Sequence, residues 1–237
     1  NIHKSFRLFD FYIYDEKEEN EQQMKFYIQM YGINEKGETC SIVIDDYKPF
    51  FYIKVSDNWF ERDNIAFKTE LKKRTGWDTI AGMEIVKNKK LYGFSGGREF
   101  KFVKLIFHTT IAMNKVKNIW NDGGKRKNFV YKNKELELYE SNIPPLLRYF
   151  HIQQVSPSGW IQIKMNNVSV ISNTYCVYSY KCSQKAIQPL PDKETMVPYK
   201  ICSFDIEASS SHGDFPVPIK SYKRLAINII DLSLIHI

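Results

Sequence analysis

Two carboxylates stand two residues apart in the segment Ile201-Cys202-Ser203-Phe204-Asp205-Ile206-Glu207. The segment reads as a strand, and residues two apart on a strand share a face, so Asp205 and Glu207 present their oxygens together while Cys202, Phe204 and Ile206 take the opposite side. Hard oxygen ligands fixed close together on a rigid strand suit a divalent cation that must keep positions open for phosphate and water. The same triplet also suits the solvated face of an edge strand, and composition alone supplies D-x-E in many chains of this length. Its setting strengthens the metal reading without putting it ahead of the solvated face: the pair lies in an apolar run, on the first strand after a proline-rich break.

The neighbours of this pair offer less. Lys220, Lys223 and Arg224 are close enough in sequence to meet phosphates that approach it. His212 follows in a loop and could suggest a general base, but the plain loop reading outweighs it. Ser209-Ser210-Ser211 beside His212 is no hydrolase triad, because adjacent residues cannot adopt the geometry. The basic runs Lys87-Asn88-Lys89-Lys90 and Lys125-Arg126-Lys127 are expected in turns, where solvated charge is the default. Tyr92 and Phe94 could stack on bases, but aromatic residues near strand ends commonly fill core. The four cysteines, Cys40, Cys176, Cys182 and Cys202, form neither a C-x-x-C pair nor a dense framework, which points to reduced thiols in an intracellular setting and away from zinc.

The elements that must position the pair follow from pattern. Phe6–Tyr14, Lys25–Ile33, Thr39–Asp45 and Phe50–Val55 are rich in aromatic and β-branched residues, and turn signals separate them. They predict a β meander with the acidic run 15–21 as its first exposed loop. A helix over Asp57–Thr75 follows, capped by Ser56 or Asp57 and closed by Lys72-Lys73-Arg74 before Gly76. Strands Thr79–Lys87 and Glu99–His108 and a helix from Thr110 to Asn121 complete a β-α-β-β-α order, most of a ferredoxin-like unit. Asn142–Phe150 reads as a short helix started by Pro144 and Pro145, with Ile143, Leu146, Leu147 and Phe150 as its core stripe. Strands Trp160–Lys164 and Tyr175–Lys181 come next. The stretch 183–198, with three prolines, is the expected linker between a domain at 1–182 and a second at 199–237. That second unit opens with strands at Tyr199–Ala208 and from about Leu225 to Asp231.

Composition bounds the answer. The 237 residues are 43% hydrophobic and 15% aromatic, enough to bury a core. No apolar run approaches the ~18–20 residues that a membrane-crossing helix needs. The formal net charge is +7 although the run 15–21 contributes −4, and the balance of +11 elsewhere favours a polyanionic partner such as nucleic acid or a membrane surface. The chain begins at Asn1 without a signal peptide and stops among apolar residues, and is read as a fragment of a longer protein.

Phe204-Asp205-Ile206-Glu207 resembles the first exonuclease motif of the family B DNA polymerases, and upstream Leu91-Tyr92-Gly93-Phe94, Leu138–Ile143, Leu147–Phe150 and Gly159-Trp160-Ile161 are similar to that family's N-terminal domain. Their order and spacing resemble the delta type, especially in large double-stranded DNA viruses, and cover about Phe6 to Asp231. The resemblance implies an α+β N-terminal domain, a β meander plus the ferredoxin-like βαββα unit, followed by the start of an α/β RNase H-like exonuclease domain. It implies that Asp205 and Glu207 are catalytic and hold two Mg²⁺ (or Mn²⁺) ions in a 3′–5′ exonuclease whose remaining aspartates lie beyond this chain. It implies DNA as partner (primer-template and a single-stranded 3′ end), deoxynucleotides in the parent, a possible sliding clamp bound elsewhere, no membrane, and a replication site in the host nucleus or cytoplasm. The fragment alone would be inactive. Two other readings stay open: a stand-alone nucleic-acid-binding module without catalysis, and a small RNase H-like nuclease.

Overall fold

A computed structural model describes residues 3–18, 23–90, 93, 95–122, 125–126, 129–172, 174–209 and 226–236. In chain order the elements are β1 His3–Glu16, β2 Lys25–Ile33, β3 Thr39–Ile44, β4 Phe50–Lys54, α1 Glu61–Thr75, β5 Ile80–Lys89, β6 Glu99–Phe107 and α2 Thr110–Lys117. The short strands β7 Asn121–Asp122, β8 Lys125–Arg126 and β9 Phe129–Tyr131 lead to β10 Lys134–Tyr139 and α3 Pro145–Gln153. Then come β11 Trp160–Lys164, β12 Val168–Val170, β13 Tyr178–Cys182, β14 Ile187–Leu190, β15 Lys200–Ser209 and β16 Ala226–His236.

Three strands of the expected meander pair, the fourth, β4, joins another sheet, and the chain returns to enlarge the first. β1, β2 and β3 pair antiparallel, β11 adds to the free side of β1, and β13 runs parallel to β3. The result is a seven-stranded sheet in the order β12-β13-β3-β2-β1-β11-β14. Alternation on β2 turns Phe26, Ile28 and Met30 to one side, where they meet Phe6, Leu8, Ile42, Ile44, Ile161, Ile163 and Tyr149 in one core. Residues 183–198, expected as a linker, fold onto this sheet: β14 pairs with β11, and Val197 is buried with Ile33 and Trp160. The prolines misled because an edge strand tolerates them, and Pro189 stands on β14 at the sheet edge.

The chain between β3 and β11 builds a second sheet in the order β5-β6-β4-β10-β9, with neighbours antiparallel throughout. Phe51, Ile53, Val103, Leu105 and Leu138 face Phe67 and Leu71 of α1 and Ala112, Met113 and Val116 of α2. α1 starts later than expected. Phe60 is its N-cap, and the Asp63 carboxylate accepts the Phe60 N–H at 3.0 Å. Ser56 and Asp57 serve other partners: Ser56 Oγ accepts from Lys134 Nζ, and the Asp57 carbonyl accepts from Lys101 Nζ. α3 buries Pro145, Arg148 and Tyr149, whereas Leu147, assigned to the core stripe, is 52% exposed. The stripe is rotated because the helix begins at Pro145 and Arg148 is drawn inward, its Nη1 donating to Glu140 at 2.6 Å.

The two sheets are joined by a carboxylate. Asp15, at the end of β1, accepts from the Thr110 and Ile111 amides (both 3.0 Å) and from Thr110 Oγ1 at the N-terminus of α2. Part of the acidic run expected as a solvated loop therefore neutralises a helix terminus.

Candidate functional site

β15 leaves the larger sheet through an anchored connection. Trp160 Nε1 donates to the Thr195 carbonyl at 3.0 Å, and Lys193 lies 4.3 Å from the centre of the Trp160 ring. Tyr199 meets Phe9 edge-to-face at 6.3 Å. Phe9 sits where the β1–β2 register slips between Leu8 and Asp10, a bulge that turns this ring outward to 48% exposure. A cavity of about 600 Å³ lies under this junction, lined by Phe9, Ile33, Lys36, Pro198, Tyr199 and Lys200 among others.

From that anchor β15 runs as a continuous strand through Asp205 and Glu207 and pairs antiparallel with β16. Asp205 registers opposite Asp231, and Glu207 opposite Asn228. The register shifts between Asp205 and Ile206, whose partners are Asp231 and Ile229, so Ile230 is the extra residue on β16. Bulges of this kind bend the strand and raise its local twist, and they recur beside active sites. The sequence singled out the two acids of β15 but not Asp231. Aligning the two strands as a hairpin is the signal that finds it.

The other candidates divide into three groups. Lys220, Lys223 and Arg224, together with His212, Ser210 and Ser211, lie outside the described residues, as do Tyr92, Phe94 and Lys127. Lys87 and Lys89, expected in a turn, belong to β5 opposite Lys101 and Glu99, because the strand continues past its apolar part. Lys125 and Arg126, also expected in a turn, form β8 and register with Asp122 and Asn121. Among the residues whose side chains the structure describes, which do not include 203–209 and 226–236, no group of three His, Cys, Asp or Glu is placed to hold a metal.

Comparison with known proteins gives this hairpin a family. Residues 136–231 match the model of the exonuclease domain of DNA polymerase family B, a range that ends within β16. Over 96% of the chain, the sequence is 44% identical to a DNA polymerase of Phaeocystis pouchetii virus, of which it covers 24%. It is 22% identical, over 86% of the chain, to the DNA polymerase delta catalytic subunit of Dictyostelium discoideum, covering 20% of that protein. Among solved structures, the family B DNA polymerase of the hyperthermophilic archaeon Pyrobaculum calidifontis superposes with a TM-score of 0.58 at 16% identity, over 98% of this chain and 26% of that one. The chain belongs to the family B DNA polymerases, and among them it is similar to viral and delta-type members. It spans a quarter or less of the length of the curated relatives it matches.

Proposed function

We propose that this chain is the N-terminal region and the opening of the 3′–5′ exonuclease of a replicative DNA-directed DNA polymerase. The observation that carries the reading is the placement of Asp205 and Glu207 two apart on β15, inside the segment that matches the exonuclease domain. In this reading residues 1–182, with 183–198 packed on them, form the N-terminal domain, and residues from 199 open the RNase H-like nuclease. The strand order β5-β6-β4-β10, with helices crossing between β4 and β5 and between β6 and β10, supports a ferredoxin-like unit.

The donor set fits a pair of Mg²⁺ or Mn²⁺ ions: two carboxylates on one strand, with a third acidic residue, Asp231, across the register. Asp205 and Glu207 would hold the cations, and the chemistry such cations would supply is activation of water near neutral pH and an offset of charge on the scissile phosphate. Two apart on one strand, Asp205 and Glu207 would orient that positive charge from a single face. DNA is the partner this chemistry requires, as a single-stranded 3′ end in the nuclease and a primer-template with deoxynucleotides in the whole enzyme. Lys220, Lys223 and Arg224 would meet its phosphates. Replication places the protein inside a cell, and the clamp contact, where one exists, is assigned to other parts of the polymerase.

The test is a paired assay on the full-length protein. Replacing Asp205 and Glu207 with Ala should abolish 3′–5′ excision while primer extension stays near wild type. Undiminished excision would remove the pair from the site, and parallel loss of extension would indicate misfolding.

A further inference from the structure

The first strand outruns one of its neighbours. β11 pairs with β1 only from His3 to Arg7, while β2 follows the opposite edge as far as Glu16. The Leu8 amide still donates to the Gly159 carbonyl at 2.9 Å, and beyond it no strand lies along this second edge among the described residues. Burial records the change. Phe6 and Leu8 are buried, whereas no residue from Phe9 to Glu16 is. The bulge between Leu8 and Asp10 falls where the pairing stops. Asp15 is held by the N-terminus of α2, so the open stretch is residues 9–14.

Proteins ordinarily blunt such an edge by keeping it short or by placing lysine or proline on it. Residues 9–16 contain three acids and no lysine, arginine or proline. After the bulge Phe11 and Ile13 turn to the core, and Asp10, Tyr12 and Tyr14 share the outer face. Tyr14 stacks on the buried Tyr27 at 5.1 Å, and Tyr12 stacks on Tyr14 at 5.4 Å. Tyr12 ends this ladder at 59% exposure, with no cation on its ring among the described residues. Asp10, two residues along the same face, is exposed. It accepts the Phe11 amide at 2.8 Å and has no ion-pair partner among the described residues.

We propose that the open edge of β1 takes an added strand from a partner protein, an extended segment whose arginine stacks on Tyr12 and pairs with Asp10. Unpaired amides and carbonyls on a sheet edge accept any extended backbone, and the side chains beside them select among segments. Here the selecting groups are a ring and a carboxylate, both of which attract cations. Residues two apart on a strand are separated by about 6.6 Å, so a planar guanidinium laid on Tyr12 can turn its fork of donors toward Asp10. A lysine ammonium is a point charge and cannot stack while it pairs. The three acids repel phosphates, which disfavours nucleic acid. They also disfavour a second copy of this chain, whose matching stretch brings acids and no cation. The proposal does not rest on Asp205 and Glu207 or on the nuclease reading.

The experiment is fluorescence anisotropy with the full-length polymerase and short labelled peptides that alternate threonine with arginine, lysine or glutamate, at low and high salt. The arginine peptide should bind at least about fivefold more tightly than the lysine peptide, and the glutamate peptide should not bind. Hydrogen exchange should show new protection at residues 9–14 in the arginine complex. N-methylation of that peptide along its length, which keeps the charges but removes the backbone donors, should abolish both effects. Tyr12→Leu and Asp10→Asn should each weaken binding roughly three- to tenfold, and Asp10→Asn should also flatten the salt dependence. Tyr175→Leu, at another exposed tyrosine, should leave binding unchanged. Tyr12 and Asp10 are exposed, so both variants should keep the wild-type unfolding temperature, and Asp10→Asn decides the matter if Tyr12→Leu does not. Absent binding, equal binding of the arginine and glutamate peptides, no protection at residues 9–14, or unchanged affinity in both folded variants would overturn the proposal. So would a concentration-dependent dimer that protects residues 9–14 without peptide, since the edge would then belong to a second copy.

Discussion

Burial sets two of the four cysteines apart from the others. Cys40 and Cys182 are buried, and burial pushes the Cys182 thiol up to about 12 and the Cys40 thiol higher still. Thiolate is the reactive form, so neither should react with an alkylating reagent near pH 8 until the protein unfolds. Cys202 is exposed and should label first, which mass spectrometry of timed samples will show. His108 gives a second prediction at this scale. Burial, and then Lys48, hold its imidazole below the ordinary 6.5, with Asp78 acting against them. The unfolded chain therefore binds the proton more readily, so the contribution is complete above the unfolded value and is lost as pH falls below it and through the lower folded value. Unfolding midpoints should drop between about pH 7 and 5, and His108→Gln should flatten that slope. A third concerns Thr109, whose side chain accepts the Ala112 amide at 3.0 Å and caps α2 while buried. Thr109→Ala should cost about 1 kcal/mol in denaturant unfolding.

At the level of elements, α3 separates what the sequence could disclose from what it could not. Its existence and its proline start were legible, because Pro at the first turn gives up no needed amide. Its orientation was not: the spacing of Ile143, Leu146, Leu147 and Phe150 describes an apolar stripe but not which part of it meets a neighbour. Tyr149 is fully buried against Tyr47 at 5.3 Å, while Leu147 faces outward. Tyr149→Ala should therefore cost on the order of 3–5 kcal/mol and Leu147→Ala under about 0.5 kcal/mol, measured as unfolding free energies. β2, β6 and β11 were legible nearly to the residue, since aromatic and β-branched runs between turn signals have few alternatives. β14 was missed because a short edge strand with a proline looks like a linker. At the candidate site, Asp205 and Glu207 were visible from spacing, whereas Asp231 required a register that periodicity does not fix.

For the whole molecule, the Asp15 contact ties the end of the first strand of the larger sheet to the helix layer of the second. Carboxylates at helix N-termini contribute about 0.3–1 kcal/mol, and up to ~2 kcal/mol in favourable geometries. Asp15→Ala should lower stability by about 1 kcal/mol and speed proteolysis between β3 and β4, whereas Asp15→Asn, which keeps a hydrogen-bond acceptor, should lose less. The topology around that joint has a further effect during synthesis. β1 pairs with β11, and β3 with β13, across the whole of the inserted second sheet. A growing chain released as far as Tyr139 holds every strand of the second sheet but only the first three strands of the larger one. Closing long loops slows folding far more than it weakens the product. The inserted unit should therefore acquire protease resistance on the ribosome first, while β1, β2 and β3 wait with an open edge on each side. Protection of those strands should appear only once β11 and β13 have emerged, which makes that interval the time when this polypeptide most needs a chaperone.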